Sequence, residues 1–290
     1  LARSVQAASS ASRTDPDEER RLIGAARRGD RRALDRLARR LAGPAYRYGR
    51  TFCGDAHDAE DVRQDVMAAL VRSLQSLRGE ASLTTWAYVV ARHACARRRR
   101  RRAGAPRVHD ALDERSGALE VPDPGAGPER EVERRELHLA LRAAISALPP
   151  TLREVILLRD VEGLPAERVA RVLRVGERAV KSRLHRARVA LRARLQPQFA
   201  VEAHERAGCP DTARMLSRFL EGELDGSACA RLEAHVAECG ACGATCETLR
   251  HALGECRAWG RGQAPPEIRD AVRDAVRAAL GSARTAGRIT

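Results

Sequence analysis

The sequence predicts an all-α protein divided into small helical domains, and three observations predict it. Apolar residues recur at intervals of three and four along most of the 290 residues, and no stretch alternates apolar with polar for long enough to make a strand. Aperiodic segments rich in Pro and Gly interrupt the helical pattern. A chain of this length holds two domains, or three small ones, each with a modest core.

In order along the chain, residues 1–20 are polar, rich in Ser, Arg and acidic groups, and without apolar period, which predicts a mobile tail. Residues 21–102 turn helical, with Ala33, Leu34, Leu37 and Leu41 on one stripe and Val62, Val66, Ala69 and Leu70 on another. Residues 103–130 are Pro- and Gly-rich and read as a linker. A second helical domain is expected over 131–196. Leu137, Leu141, Ala144, Ile145 and Leu148 form its first stripe, and Pro149-Pro150 ends that helix because neither ring can continue the hydrogen-bond ladder. Three further patterns follow, TLREVILLRDVEG, LPAERVARVLRV and GERAVKSRLHRARVALRARL, punctuated by Gly163 and Gly176. Short helices joined by a Gly-containing turn outline a helix-turn-helix.

Residues 203–260 change character. Six arginines, no lysine and nine acidic residues give that segment a net charge of −3, against +14 for the whole chain. Six of the eight cysteines lie beyond residue 208. Finally Ile268, Val272, Val276 and Leu280 recur every four residues and predict an amphipathic helix over 265–282.

The strongly basic balance fits a polyanionic partner such as nucleic acid, although arginine dominates it and composition is a prior about partners, not fold. No run approaches the roughly 18 apolar residues of a membrane span, and the N-terminal residues lack the apolar centre of a secretory signal, so a soluble cytoplasmic protein with no membrane partner is expected. No Gly-rich phosphate loop, G-x-S-x-G elbow or H-E-x-x-H pair occurs. The chain reads as a binding protein and not an enzyme.

In the last helix of the helix-turn-helix, Val180, Leu184 and Ala187 form a thin apolar seam among Arg178, Lys181, Arg183, Arg186 and Arg188. A recognition helix needs one seam against its partner helix and polar side chains toward its N-terminus to reach base edges in the major groove. Glu177, Arg178, Lys181 and Ser182 are best placed for bases, and the flanking arginines for phosphates.

Near the other end, His235-x3-Cys239-x2-Cys242 places a histidine and a cysteine one helical turn apart, with a second cysteine just beyond. Cys209 supplies a fourth donor from upstream. Three thiolates and one imidazole suit a tetrahedral Zn²⁺, and a thin-cored module gains folding energy from the ion. Cys229, Cys246 and Cys256 exceed what one structural zinc needs. They read either as a second, exchangeable thiolate site for Cu, Cd or excess Zn, as a redox site, or as small buried thiols. Cys53 and Cys95 read as core residues.

These motifs resemble a known family. LPPTLREVILLRDVEGLPAERVARVLRVGERAVKSRLHRARVALR is similar to region 4 of the extracytoplasmic-function (ECF) sigma factors, the domain that reads the minus-thirty-five promoter element; Val180 to Arg188 carries the likeness most closely. The resemblance implies minus-thirty-five contacts from Glu177, Arg178, Lys181, Ser182, Arg183, His185 and Arg186. DAHDAEDVRQDVMAAL resembles the region 2 helix that docks on RNA polymerase, which implies polymerase contacts from Asp58, Glu60, Asp61, Gln64 and Asp65. SLTTWAYVVARHACARRRRRR looks like the segment that engages and opens the minus-ten element, implying roles for Trp86, Tyr88, Arg92, His93, Arg97 and Arg98. Here the chain departs from the pattern, with His93 and Arg97 where the family usually has Asn and Asp.

FLEGELDGSACARLEAHVAECGAC resembles the zinc-binding anti-sigma fold, fused here to its sigma factor in the manner of the metal-responsive CorE-type factors. The resemblance implies RNA polymerase core and promoter DNA as partners, and activity governed in cis by metal, with the acidic module masking the basic body. Two readings stand beside it: a metal-sensing helix-turn-helix regulator that acts without polymerase, and an ECF factor whose zinc is purely structural.

Overall fold

The computed structural model describes residues 15–53, 56–77, 82–102, 128–196, 209 and 211–261. The helix expected over 265–282 lies outside them, as do residues 1–14 and most of the 103–130 linker. Every regular element among the described residues is helical. The chain forms two compact units, one containing residues 15–102 and the other residues 128–261.

In the first unit, α1 runs over Pro16–Arg27, so the helix takes in the end of the stretch read as a tail. The reason is a start signal that apolar period does not register. The Asp15 carboxylate accepts from the Asp17 N–H, Pro16 sits in the first turn, and Asp17, Glu18 and Glu19 complement the helix dipole. Helix α2 (Arg31–Phe52) is capped by Asp30, which accepts from the Arg32 and Ala33 N–H groups. It buries Leu34, Leu37, Leu41, Tyr48 and Phe52. Helix α3 (Ala56–Ser73) turns Val62, Val66, Met67 and Leu70 inward, and α4 (Leu83–Arg102) contributes Leu83, Ala87, Tyr88, Ala91 and Cys95. Glu19 of α1 is buried and accepts from the Leu83 N–H at 2.6 Å, satisfying an orphan donor at the start of α4. Helices α2 and α3 approach closely at Gly49, where a Cβ would lie 2.6 Å from the Ala59 Cα.

Cys53, at the end of α2, is disulfide-bonded to Cys95 on α4, with Cα atoms 5.8 Å apart. Both read as core residues from the sequence, yet only Cys95 is buried and Cys53 is half-buried. Pairing depends on how two helices cross, which a one-dimensional pattern does not contain.

In the second unit, α5 (Pro128–Ser146) precedes α6 (Pro150–Ile156), which widens into a π-type turn over Leu157–Val161. Helices α7 (Ala166–Leu173) and α8 (Glu177–Leu195) form the helix-turn-helix. The left-handed residue of its turn is Arg174, at φ 55°, while Gly176 has an ordinary φ of −71°. Val180, Leu184, Ala187, Leu191 and Leu195 seat α8 on its neighbours.

Three more helices complete this unit: α9 (Thr212–Leu220), α10 (Gly226–Glu238) and α11 (Gly240–Arg261). Asp211 and Asp225 cap α9 and α10. Leu216, Cys246, Leu249 and Leu253 make a small apolar centre, flanked by Phe219, Leu220 and Val236. The described part of the 203–260 segment packs in one compact unit with 131–196. Its local core is too small to bury every apolar face, and the rest of α11 packs on the π-type turn and on α8.

Candidate functional site

Four residues converge where α10 ends and α11 begins. His235 lies in the last turn of α10, Cys239 follows it as the cap, Cys242 opens α11, and Cys209 approaches from just before α9. Their ligand atoms all lie within 4.8 Å of one another. The Cys209 and Cys239 sulfurs are 3.8 Å apart, and His235 Nε2 is 3.2 Å from the Cys242 sulfur. A tetrahedron with Zn–S bonds of about 2.3 Å has S···S edges of about 3.8 Å. Donor types and spacing therefore fit zinc, with four protein ligands closing the coordination sphere. The backbone N–H of Cys242 holds the Cys239 thiol below the usual range, whereas burial pushes Cys242 up to about 11. The Thr212 hydroxyl, at the start of α9, bonds the Cys242 sulfur and ties that helix to the site.

The remaining thiols do not join this cluster. Cys246 and Cys256 lie ten residues apart on α11, hence about 15 Å along its axis. Burial pushes Cys246 up to about 11 and Cys256 well above the usual thiol range, which keeps both protonated and unreactive. Cys229, on α10, directs its thiol at the Leu224 carbonyl. Among the described residues the only grouping of three or more potential ligands is the four-residue one, so a second site of Cys229, Cys246 and Cys256 is not assembled here.

On α8, Glu177, Arg178, Ser182 and Arg186 are exposed and Arg183 is half-buried, so a polar edge faces solvent as the helix-turn-helix pattern requires. Two of the seven expected DNA contacts are otherwise engaged. Lys181 forms an ion pair with Glu223 at 2.6 Å, and that hydrogen bond raises its pKa. His185 faces Asp211 and Arg214 of the α9 start; burial lowers its pKa, and its Nδ1 is enclosed without a partner.

Arg188, counted in the sequence with the basic surface of this helix, is instead buried. It donates to both Asp160 oxygens at 2.6 and 3.0 Å, to Glu221 at 3.0 Å and to the Ser217 hydroxyl at 3.1 Å. Burial alone would depress its pKa; Asp160 and Glu221 more than reverse that. Arg159 also donates to Glu221, at 3.1 Å, and Arg192 donates to the Thr245 hydroxyl at 2.8 Å. Asp160, Ser217, Glu221, Glu223 and Thr245 were not singled out from sequence. The only signal was the acidic EGELDG turn, visible as charge but not as a partner for a particular helix.

In the first unit, the expected polymerase-facing set divides. Asp61 and Gln64 are exposed, and Asp65 is half-buried. Asp58 is buried and does not present its carboxylate to a partner surface. Burial opposes ionisation of Glu60, but the buried Arg63 beside it outweighs this and lowers its pKa. Asp65 accepts from Arg97 at 3.3 Å and Arg98 at 2.7 Å, and Asp61 pairs with Arg98 at 3.5 Å. The acidic face of α3 and the basic end of α4 thus neutralise each other in part. Of the expected minus-ten set, Trp86 and Arg92 are half-buried and His93 is exposed. Tyr88 is a correction: it is fully buried beside Tyr48, ring centroids 6.0 Å apart, and belongs to the core. Its position in the α4 stripe, three residues after Thr85 and three before Ala91, both buried, carries it inward. No helix among the described residues is long and apolar enough to cross a membrane.

Comparison with known proteins agrees with this arrangement. The Sigma-70 region 2 family model matches residues 30–104, and the Sigma-70 region 4 model matches residues 138–191. A zinc-finger family model matches residues 209–243, the span that holds all four clustered ligands. The RNA polymerase sigma-H factor of Pseudomonas aeruginosa is 33% identical over 187 residues, which span 62% of this chain and 95% of that protein. The ECF RNA polymerase sigma factor SigE of Mycolicibacterium smegmatis is 34% identical over 167 residues, 57% of this chain and 63% of that protein. The ECF RNA polymerase sigma factor SigM of Mycobacterium tuberculosis is 33% identical over 170 residues, 59% of this chain and 81% of that protein. With regions 2 and 4 in order and a zinc-finger segment after them, the chain belongs to the ECF sigma factors of the sigma-70 family.

Proposed function

We propose that this chain binds RNA polymerase core and directs promoter-specific initiation, with its activity governed in cis by metal at Cys209, His235, Cys239 and Cys242. The observation that carries the regulatory part is the engagement of the recognition helix by the cysteine-rich segment. Glu223 pairs with Lys181, and Glu221 and Ser217 hold Arg188, both on α8. The Glu223 carboxylate there occupies the one of these cations, Lys181, that is accessible enough for DNA phosphates to meet otherwise. In this reading the metal-bound module masks part of the minus-thirty-five surface. The edge of exposed Glu177, Arg178, Ser182 and Arg186 with half-buried Arg183 remains for bases and phosphates. Region 2 supplies Asp61, Gln64 and Asp65 toward polymerase and Trp86, Arg92, His93, Arg97 and Arg98 toward minus-ten DNA. The polymerase supplies the chemistry, and zinc in a closed four-ligand site supplies folding energy, not catalysis.

The test is transcription in vitro with core polymerase from a matched promoter, with and without chelator, titrating Zn²⁺, Cu²⁺ and Cd²⁺. Polymerase-dependent transcripts whose yield changes with one metal support the reading. Transcripts indifferent to metal would leave a sigma factor with structural zinc. Duplex binding without any polymerase-dependent transcript would replace it with a polymerase-independent regulator.

A further inference from the structure

Besides the Arg192–Thr245 hydrogen bond between α8 and α11, the cysteine-rich segment touches region 4 at two places of different chemistry. The first is metal-linked. Cys209 and Thr212 fix the start of α9 to the ligand cluster, and the other end of α9 carries Ser217, Glu221 and Glu223 onto α8. Glu223 also sits in the turn that leads to α10, which ends in His235 and Cys239. Every one of these grips on α8 is polar.

The second place is the far end of α11. Cys256 is fully buried and lies close enough to Asp160 to feel its charge, and Trp259 is 6% exposed. At Gly260 the backbones meet: a Cβ there would lie 1.8 Å from the Val161 carbonyl oxygen, so only glycine permits the approach. Glu255 pairs with His138 of α5 at 3.4 Å. From Cys242 to Cys256 is fourteen residues, or about 21 Å of helix. Nothing at this end bonds the metal ligands, and what holds it is apolar burial, backbone fit and the Glu255–His138 pair, which persist without an ion.

We infer that the module is fastened to region 4 by a permanent anchor at Cys256, Trp259 and Gly260 and by a metal-dependent clasp formed by α9 and α10, so that metal loss uncovers Lys181 and His185 while the module stays attached. Only its functional consequence rests on the masking reading above; the anchor and the clasp stand on geometry. A switch built this way resets without a search for its partner, because the clasp recloses at the high effective concentration set by the anchor. The buried Asp160–Arg188 pair stays covered from the α11 side when Glu221 leaves, which spares it full solvent exposure.

Hydrogen–deuterium exchange on the full chain, zinc-loaded and chelated, separates the two attachments. Chelation is expected to speed exchange across residues 211–238 by about tenfold or more while residues 157–161 and 249–259 change less than about twofold. Loss of protection in all three segments together, or in none, would overturn the inference. Gly260→Ala, zinc-loaded, is expected to expose 249–259 and 157–161 selectively; protection equal to the parent would remove the anchor. If that variant does not fold, Trp259→Ala gives the same comparison with the backbone approach left intact. Binding to a minus-thirty-five duplex is read in parallel. Opening of 211–238 with unchanged duplex affinity would uphold anchor and clasp and refute masking.

Discussion

Arg188 and Asp160 form a two-point ion pair between α8 and the π-type turn after α6, at 2.6 and 3.0 Å, with both side chains no more than 3% exposed. Both carboxylate oxygens are used, and the guanidinium spends its other donors on Glu221 and Ser217. A buried charge so completely satisfied costs little to keep and a great deal to orphan.

Asp160→Asn is therefore expected to destabilise the 128–261 unit by about 3–5 kcal/mol, the usual loss when one partner of a buried pair is removed. Arg188→Gln should cost a similar amount, and the double variant less than the two together, because they share one interaction. Urea denaturation of the three variants measures this; fully additive losses would mean the pair is not coupled.

Lys181 and Glu223 differ because each side chain is about a third exposed. Glu223→Gln should leave stability within about 1 kcal/mol of the parent. The freed lysine is expected to tighten binding to a minus-thirty-five duplex by about twofold to fivefold, with a steeper salt dependence. Fluorescence anisotropy across a salt series reads both, and an unchanged salt slope would show that Lys181 does not meet phosphate.

His185 makes docking sensitive to acid. Burial holds its pKa below the ordinary histidine value, Arg214, Arg188 and Arg186 push the same way, and Asp211 opposes them. The unfolded chain thus takes up a proton at higher pH than the folded chain. The stability this group contributes is fully present above its unfolded pKa of about 6.5 and is lost as pH falls from there through the lower folded value. The difference in melting temperature between the parent and His185→Gln should accordingly vary between about pH 5 and 7 and be flat above. A difference that is constant across that range would refute it.

Cys239→Ser removes a central ligand, since Cys239 faces Cys209 at 3.8 Å and sits between His235 and Cys242 in sequence. Bound zinc, counted by elemental analysis, should fall from about one per chain to near none. Cys256→Ala should retain it, because that thiol lies at the other end of α11; zinc loss there would contradict the four-ligand assignment.

Gly49 tests the first unit. A methyl group would overlap the Ala59 backbone at 2.6 Å, and neither helix can give way without shifting the core. Gly49→Ala is expected to cost about 1–3 kcal/mol by overpacking, despite alanine's better helix propensity. Thermal denaturation showing a gain instead would mean that α2 and α3 separate freely.

Much of this protein is written in local pattern. The stripes of Leu34, Leu37 and Leu41 and of Val180, Leu184 and Leu191, the stop at Pro149-Pro150 and the spacing of His235, Cys239 and Cys242 each specify a helix, a break or a ligand cluster through neighbours a few residues away. That is why the all-α class, the helix-turn-helix and the Cys/His cluster were legible without coordinates. The start of α1 at Pro16 was also written locally, in Asp15 and the acidic first turn, but in capping chemistry and not in apolar period.

Tertiary structure alone decided which charges are surface and which are glue. Arg186 and Arg188 are two residues apart on one helix; the first is exposed and the second buried against Asp160, because a helical step of two turns the side chain to the opposite face and only the packed unit shows what lies there. The same holds for Tyr88 against Tyr48, for Cys53 against Cys95, and for Gly260 against Val161. Each joins positions separated by at least forty residues, where period and spacing carry no information and only the way helices cross decides who meets whom.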